Sequence, residues 1–304
     1  MKRLISILAA FMVAALPLAA TENSNAVKEE SKSFNVDSFD AIQVSWIYKV
    51  ELTQARNHSV VVEAPDFVMP YLDVRVRRSC LILDMHNMPK DIKRKLETGR
   101  YDVRAYVSMK KLSKLEMSGA SKLEANGAFQ TSDNSFDLLM SGASNANGLV
   151  ISAQRAFIDC SGASKFQMEG KIKDVHMELS GAAKGTLLTD GKKMDLDISG
   201  ASKLNLTGDQ DDVRVIASGA ANIKMNGTVG KLDLSGSGAC KIDMLDCPAL
   251  WVNIGLSGAS NARLEVLETL GVRLSGASTC QYRAGDKLQI VETDVARGST
   301  LRKL

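Results

Sequence analysis

Recognisable chemistry is what this 304-residue sequence has least of. Histidine occurs three times, as His58, His86 and His176, scattered along the chain. There is no GxSxG elbow, no HExxH zinc signature and no glycine-rich phosphate loop. Nothing at this level argues for a serine hydrolase, a zinc hydrolase or a nucleotide-dependent enzyme. The five cysteines, Cys80, Cys160, Cys240, Cys247 and Cys280, are odd in number and irregular in spacing, so they form no disulfide framework. No CxxC or Cys/His cluster suggests a metal site. Three cysteines fall where other repeats carry small or apolar residues, so buried, inert thiols are expected. No cofactor is expected.

A surplus of charge is also missing. Removing Lys2 and Arg3 from the 38 basic residues leaves 36, against 35 acidic residues, or 34 if Glu22 is lost as well. A chain so close to neutral is not expected to take nucleic acid or an anionic membrane as its main partner. Only one long apolar run exists, Leu4 to Leu18, behind Lys2 and Arg3 and ahead of Ala19-Ala20. That order describes a cleaved signal peptide over residues 1–20, with cleavage as late as residue 26. The run falls short of the ~20 residues of a membrane span, and no later run reaches it, so no transmembrane segment is expected after cleavage.

What is present is a repeat. Ser-Gly-Ala occurs nine times, beginning at Ser118, Ser141, Ser161, Ser180, Ser199, Ser218, Ser237, Ser257 and Ser275, at intervals of 23, 20, 19, 19, 19, 19, 20 and 18 residues. A fixed short period marks a solenoid, whose repeats bury their apolar edges by stacking on one another. Counting from each serine, position −3 is apolar throughout, from Leu115 to Val272, and position −1 is apolar or small. Position −2 between them is mostly polar. Apolar-polar-apolar at period two is a half-buried strand. The alternation resumes after the tripeptide with the same parity. Position +3 holds only Ser, Ala or Cys, which suits a cramped inward site, and a glycine follows at +9 in Gly127, Gly170, Gly208 and Gly227. A leucine-rich repeat has a similar period but needs an LxxLxL core and an Asn ladder, which are absent. The expected fold is therefore all-β: a parallel β-helix or β-solenoid of about nine rungs of 18–23 residues, right-handed by the general rule for parallel connections.

Residues 27–117 lack the tripeptide but alternate as strands over Ala41–Leu52, Ser59–Glu63, Tyr71–Met85 and Tyr101–Ser108. They are expected to form a divergent cap continuous with the solenoid of residues 118–304, because an open solenoid end exposes unpaired strand edges. A basic insert, Lys90 to Arg100, reads as a solvated loop, with a docking loop or short helix as the alternative. Ala296-Arg297-Gly298-Ser299-Thr300 resembles a degenerate tenth corner.

The candidate sites lie at departures from the repeat. Position −2 stacks Asp159, Glu178 and Asp197, and position +4 stacks Lys165, Lys184 and Lys203. Carboxylates on adjacent rungs could serve as acid and base on a polysaccharide. The plainer expectation is a solvated surface in which the lysines relieve repulsion between the acids. Trp251 stands at position −6, elsewhere mostly polar, and is expected to face outward, where it could stack on a sugar or anchor a protein; packing beneath a Cys247-Pro248 loop is the rival. Asp209, Asp211 and Asp212 offer oxygens of the kind calcium takes, though a solvated turn is the simpler reading. The nine serines have no histidine partner, and a nucleophile needs one activated copy.

The order of parts resembles the head GIN domain family, described as auto-transporter adhesins of Gram-negative envelopes. The resemblance is carried by Phe39-Asp40-Ala41-Ile42-Gln43-Val44, Tyr48-Lys49-Val50-Glu51-Leu52, Leu112 to Leu123, and the repeated corners. The Gly-Ile-Asn string itself is absent; the nearest are Ala221-Asn222-Ile223 and Val252-Asn253-Ile254-Gly255. The resemblance implies an exported β-solenoid, periplasmic or on the outer surface, with no catalytic residues to carry over. Self-export would need an outer-membrane barrel of alternating strands, and the expectation is that this chain supplies none before Leu304. The functional expectation is a non-enzymatic, adhesin-like module presenting a rigid surface to a glycan or envelope protein. The alternatives are a β-helix polysaccharide lyase or hydrolase, and a structural spacer or oligomeric stalk built as a homo-oligomer through its ends.

Overall fold

A computed structural model describes residues 27–304; the expected signal peptide lies outside the described residues. The chain winds into a β-solenoid of about ten turns. Each turn contributes one strand to a first parallel sheet before the Ser-Gly-Ala corner and one to a second parallel sheet after it. The −3 positions lie in register from rung to rung, Leu138 beside Ile158, Ile158 beside Met177, Met177 beside Leu196, and every one of them is buried. Each such side chain contributes about 1.5–3 kcal/mol when fully removed from water, and one rung alone could bury none of them.

The corner is set by backbone geometry. Its nine glycines have φ between +68° and +84°, a region that L-residues avoid. A Cβ on Gly200 would lie 2.5 Å from the Gly181 carbonyl oxygen, because each corner sits directly on the one before. The ladder also continues through the bend: Ala201 N donates to Gly181 O at 2.7 Å and Ser199 N to Leu179 O at 2.8 Å. The +3 residues are buried as expected. Ser144, Ser260 and Ser278 donate their hydroxyls to the carbonyl of the corner serine three residues back, each at 2.9 Å, whereas the buried hydroxyls of Ser121, Ser164 and Ser202 have no hydrogen-bond partner among the described residues, so small size is the property the six serines share.

Packing along the core is complementary between rungs. Phe166 occupies the +5 column between Ala146 and Gly185, and a Cβ on Gly185 would meet its ring at 2.6 Å. Large against small keeps the rung spacing constant where an aromatic ring enters the column. All five cysteines are free; Cys160, Cys240, Cys247 and Cys280 are buried and Cys80 half-buried. Burial pushes the thiols of Cys160, Cys247 and Cys280 up to about 12, so they carry no thiolate at neutral pH.

The N-terminal region corrects several expectations. Ala41–Leu52 is not one strand: it breaks after Val44 into a corner whose central residue, Trp46, has φ 63°. Ala120 N donates to Trp46 O at 2.6 Å, so Trp46 takes the glycine's place in an additional corner. Tyr71–Met85 is a hairpin, Leu72–Arg77 against Cys80–Met85, turning at Arg78 and Ser79, both at positive φ. Neither residue is the Asn or Gly that signals such a turn, so the pattern hid it. The rungs are also not stacked in chain order. Ala41–Val44 lies between Cys80–Met85 and Lys114–Met117, and Tyr48–Gln54 between Val103–Met109 and Lys122–Asn126. The chain therefore runs outward to build its cap and then returns.

The basic insert is an α-helix, Lys90–Glu97, not a loop. Ile92 and Leu96, one turn apart, are buried, while the lysines stay outside and Lys93 lies 5.1 Å from the centre of the Trp46 ring. Two antiparallel strands, Ser59–Pro65 and Glu29–Phe34, then cover the edge of Val103–Met109. At the other end the tenth corner forms as anticipated, with Gly298 at φ 95° and Thr300 N donating to Ser278 O at 2.9 Å. No helix among the described residues is long and apolar enough to cross a membrane.

Candidate functional site

The outer face of the first sheet is a grid whose three columns are positions −6, −4 and −2. Because the sheet is parallel and in register, each column reads straight down the solenoid axis. Position −2 places Asp159 beside Glu178 and Glu178 beside Asp197, as the spacing implied. Lys165, Lys184 and Lys203 are likewise adjacent, but on the second sheet, across the corner. No ion pair among the described residues joins the two ladders. The lysines thus do not neutralise these acids by contact; Glu178 Oε1 instead lies 3.1 Å from His176 Nε2 and accepts its proton in the tautomer that carries one there.

Three features of this face were not drawn from the sequence. First, the −6 column alternates in charge, Arg155, Asp174, Lys193, Asp212, Lys231, before reaching Trp251. Neighbouring opposite charges make the column self-compensating. The column itself was legible from the repeat, though only its polar character was drawn from it. Second, Phe157 stacks on His176 with ring centroids 5.3 Å apart, and with Ile216 it adds exposed apolar surface beside the acids. A hollow of about 340 Å³ lies there, lined by His176, Glu178, Asp195, Asp197, Arg214 and Ile216 among others. Third, glycines open the face near Trp251. Gly271 is buried at the base of a groove of about 360 Å³ that Trp251, Asn253, Asp233 and Glu292 help to line. An added Cβ on Gly255 would meet nothing within 4 Å.

Trp251 is 55% exposed, flanked in register by Lys231 and Thr269. The rival placement beneath a Cys247-Pro248 loop does not arise, because those residues belong to the bulged strand Lys241–Leu256. Lys231 Nζ stands 2.7 Å from Asp233 Oδ2, holding that carboxyl below its ordinary range while its own ammonium is raised. The groove thus combines an aromatic plane, a carboxylate kept ionised, an ammonium and the Asn253 amide.

Asp209 is part of the scaffold. Its Oδ1 accepts from Thr228 N at 2.9 Å and Thr228 Oγ1 at 2.8 Å, tying successive rungs together. Among the described residues no cluster of three or more His, Cys, Asp or Glu is placed to hold a metal ion. A larger cleft, about 640 Å³, lies at the bend opposite the corner, lined by Gln130, Asn134, Gln154 and Lys171 among others. It offers no aromatic plane, unlike the groove beside Trp251.

The molecule is a parallel β-solenoid with a regular core and a patterned, groove-bearing outer sheet. The chain belongs to the family described as "Putative auto-transporter adhesin, head GIN domain", which matches residues 38–187 and 184–285, two spans that together tile one continuous ladder. Among solved structures, a putative adhesin from Parabacteroides merdae ATCC 43184 is similar at 14% identity and TM-score 0.50, covering 91% of this chain and 96% of that one. A putative adhesin from Parabacteroides distasonis ATCC 8503 shows 15% identity and TM-score 0.47 over 91% and 98% of the two chains. A putative lipid binding protein from the same organism shows 14% identity and TM-score 0.42 over 91% and 96%. No curated protein matches the chain. At these identities the likeness of structure concerns the fold alone.

Proposed function

We propose that the protein is an exported, non-enzymatic, adhesin-like module of the cell envelope that presents the outer face of its first sheet to a glycan or an envelope protein. The observation that carries this reading is Trp251, an indole 55% exposed on a mostly polar column, beside a groove based on Gly271. An exposed aromatic plane next to fixed hydrogen-bonding groups accepts the apolar face of a sugar ring, so a saccharide is the first ligand class to test. Rigidity supports it too, since the groove lies on strands and little side-chain order is lost on binding. The test is a glycan array and an envelope-protein pull-down with the protein and its Trp251→Ala variant. Retention of a ligand by the parent and its loss by the variant is expected; a ligand held equally by both would refute the assignment of the face.

One observation favours a second reading, a β-helix polysaccharide lyase or hydrolase. His176 and Glu178 are hydrogen-bonded in a hollow also lined by Asp197, a pairing of titratable groups of the kind acid–base chemistry uses. Cleavage of any member of a panel of acidic and neutral polysaccharides, lost in Glu178→Gln, would establish that reading in place of the first.

A further inference from the structure

The two ends of the solenoid are treated differently. At the N-terminal end, antiparallel strands and the Lys90–Glu97 helix cover the outermost rung. At the other end, the strands Gln289–Val295 and Thr300–Lys303 pair with the preceding rung, and their outer edges have no partner among the described residues. Ile290 and Val295 stand in register with Leu270 and Leu274, which are buried, yet they are 46% and 37% exposed. The bulged Val291 is 66% exposed. An open edge with apolar side chains at the end of a core is a template for further strand pairing.

Which groups are open can be read from the hydrogen bonds already made. Ala296 N donates to Leu274 O, Thr300 N to Ser278 O, and Leu304 N to Tyr282 O. In a strand these groups alternate sides, so the even-numbered residues are engaged with the preceding rung, and 293, 295, 301 and 303 direct their backbone groups to the free edge. Side-chain direction alternates with the same period. Val295 and Leu301 continue the core columns of Leu274 and Cys280, while Asp294 and Arg302 continue the outward columns of Arg273 and Gln281.

We propose that the occupant of this edge is a second copy of the same chain, related by a two-fold axis through the Gly298 corner. One strand runs toward that corner and the other away from it. A two-fold axis bisecting the corner therefore sets Gln289–Val295 of one copy antiparallel to Thr300–Lys303 of the other, twice over. Centred on Gly298, the register sets Val295 opposite Leu301, Asp294 opposite Arg302, and Thr293 opposite Lys303. Free backbone groups face free backbone groups, inward Val295 meets inward Leu301, and outward Asp294 meets outward Arg302; Lys303, which continues the inward column of Tyr282, stands at the last pair opposite Thr293. The pairing is isologous and closed, so it stops at a dimer, with the capped ends distal. The first sheet of each copy continues into the second sheet of the other, which directs the two Trp251 faces to different sides of one rod.

The test is sedimentation equilibrium of the purified protein over the micromolar range. The expected species is a dimer. Asp294→Arg and Arg302→Asp each place like charges opposite one another and are expected to raise the dissociation constant roughly tenfold or more. The combined D294R/R302D variant is expected to restore it. Thr293→Pro removes an N–H that the preceding rung does not use, and is expected to leave a folded monomer by circular dichroism. A parent that sediments as a monomer throughout would overturn the proposal. So would a dimer indifferent to Thr293→Pro, or a charge exchange that fails to restore what the single changes break.

Discussion

Replacing a corner glycine by alanine separates the two reasons glycine stands there. Gly200 has φ +68°, and its added Cβ would lie 2.5 Å from Gly181 O and 3.0 Å from Gly181 N. Gly99, after the cap helix, has φ +71° and nothing within 4 Å of an added Cβ. Both substitutions incur the cost of an L-residue in the left-handed region, about 1–2 kcal/mol. Only Gly200→Ala must also push two backbone corners apart, and forced overpacking of that kind costs about 1–3 kcal/mol more. Because backbone atoms on both sides resist, the upper part of that range applies. Gly99→Ala is therefore expected to destabilise by about 1–2 kcal/mol and Gly200→Ala by about 3–5 kcal/mol. Guanidinium unfolding followed by circular dichroism measures both, with Trp46→Phe and Trp251→Phe backgrounds leaving one indole each to report on the far end or the cap, since a solenoid need not unfold as one unit. Equal losses for the two variants would refute the claim that direct corner stacking, beyond backbone conformation, selects glycine.

Phe166→Ala is expected to cost about 3–5 kcal/mol through the cavity it leaves between Ala146 and Gly185, and Gly185→Ala about 1–3 kcal/mol through overpacking. A double-mutant cycle should show the second cost vanish in the Phe166→Ala background, and additivity would contradict the packing described. In the folded protein a disulfide reagent at pH 8 should find Cys160, Cys247 and Cys280 unreactive, with all five thiols titrating in denaturant; rapid native release from any of those three would contradict their burial. Lys49 and Arg104 hold the Asp102 carboxyl below its ordinary range. Its folded pKa being the lower one, the stability it gives is present above the unfolded carboxylate pKa of about 3.9 and is lost as pH falls through the folded value. Asp102→Asn should therefore lower stability at neutral pH by no more than about 1 kcal/mol and flatten the acid limb of a pH–stability curve; an unchanged limb would show the pairing is not maintained in solution.

The repeat was legible because a solenoid places the same demand on every rung. Strand parity, the inward +3 site, the corner and the degenerate corner at Gly298 all follow from residues that recur at one spacing. The cap was less legible for the opposite reason. Its rungs occur once, Trp46 substitutes for a glycine, and Arg78-Ser79 turns a hairpin without the usual residues, so no second copy reveals the rule. For the site, the acid column and the outward Trp251 were readable from position alone. The stack of Phe157 on His176 and the groove at Gly271 were not, since they depend on ring orientation and on the packing of the side chains around a glycine, which column position alone does not specify.

By itself, then, the sequence determined which residues face inward, where the chain bends and that the strands stack in parallel, because alternation and a fixed period leave a stacked core as the way to bury those side chains. Only the tertiary structure decided the order of the N-terminal rungs, the separation of the lysine ladder from the acids onto different sheets, and the contrast between a covered end and an open one. Those depend on which strands meet across long separations in sequence, and local periodicity does not encode that choice.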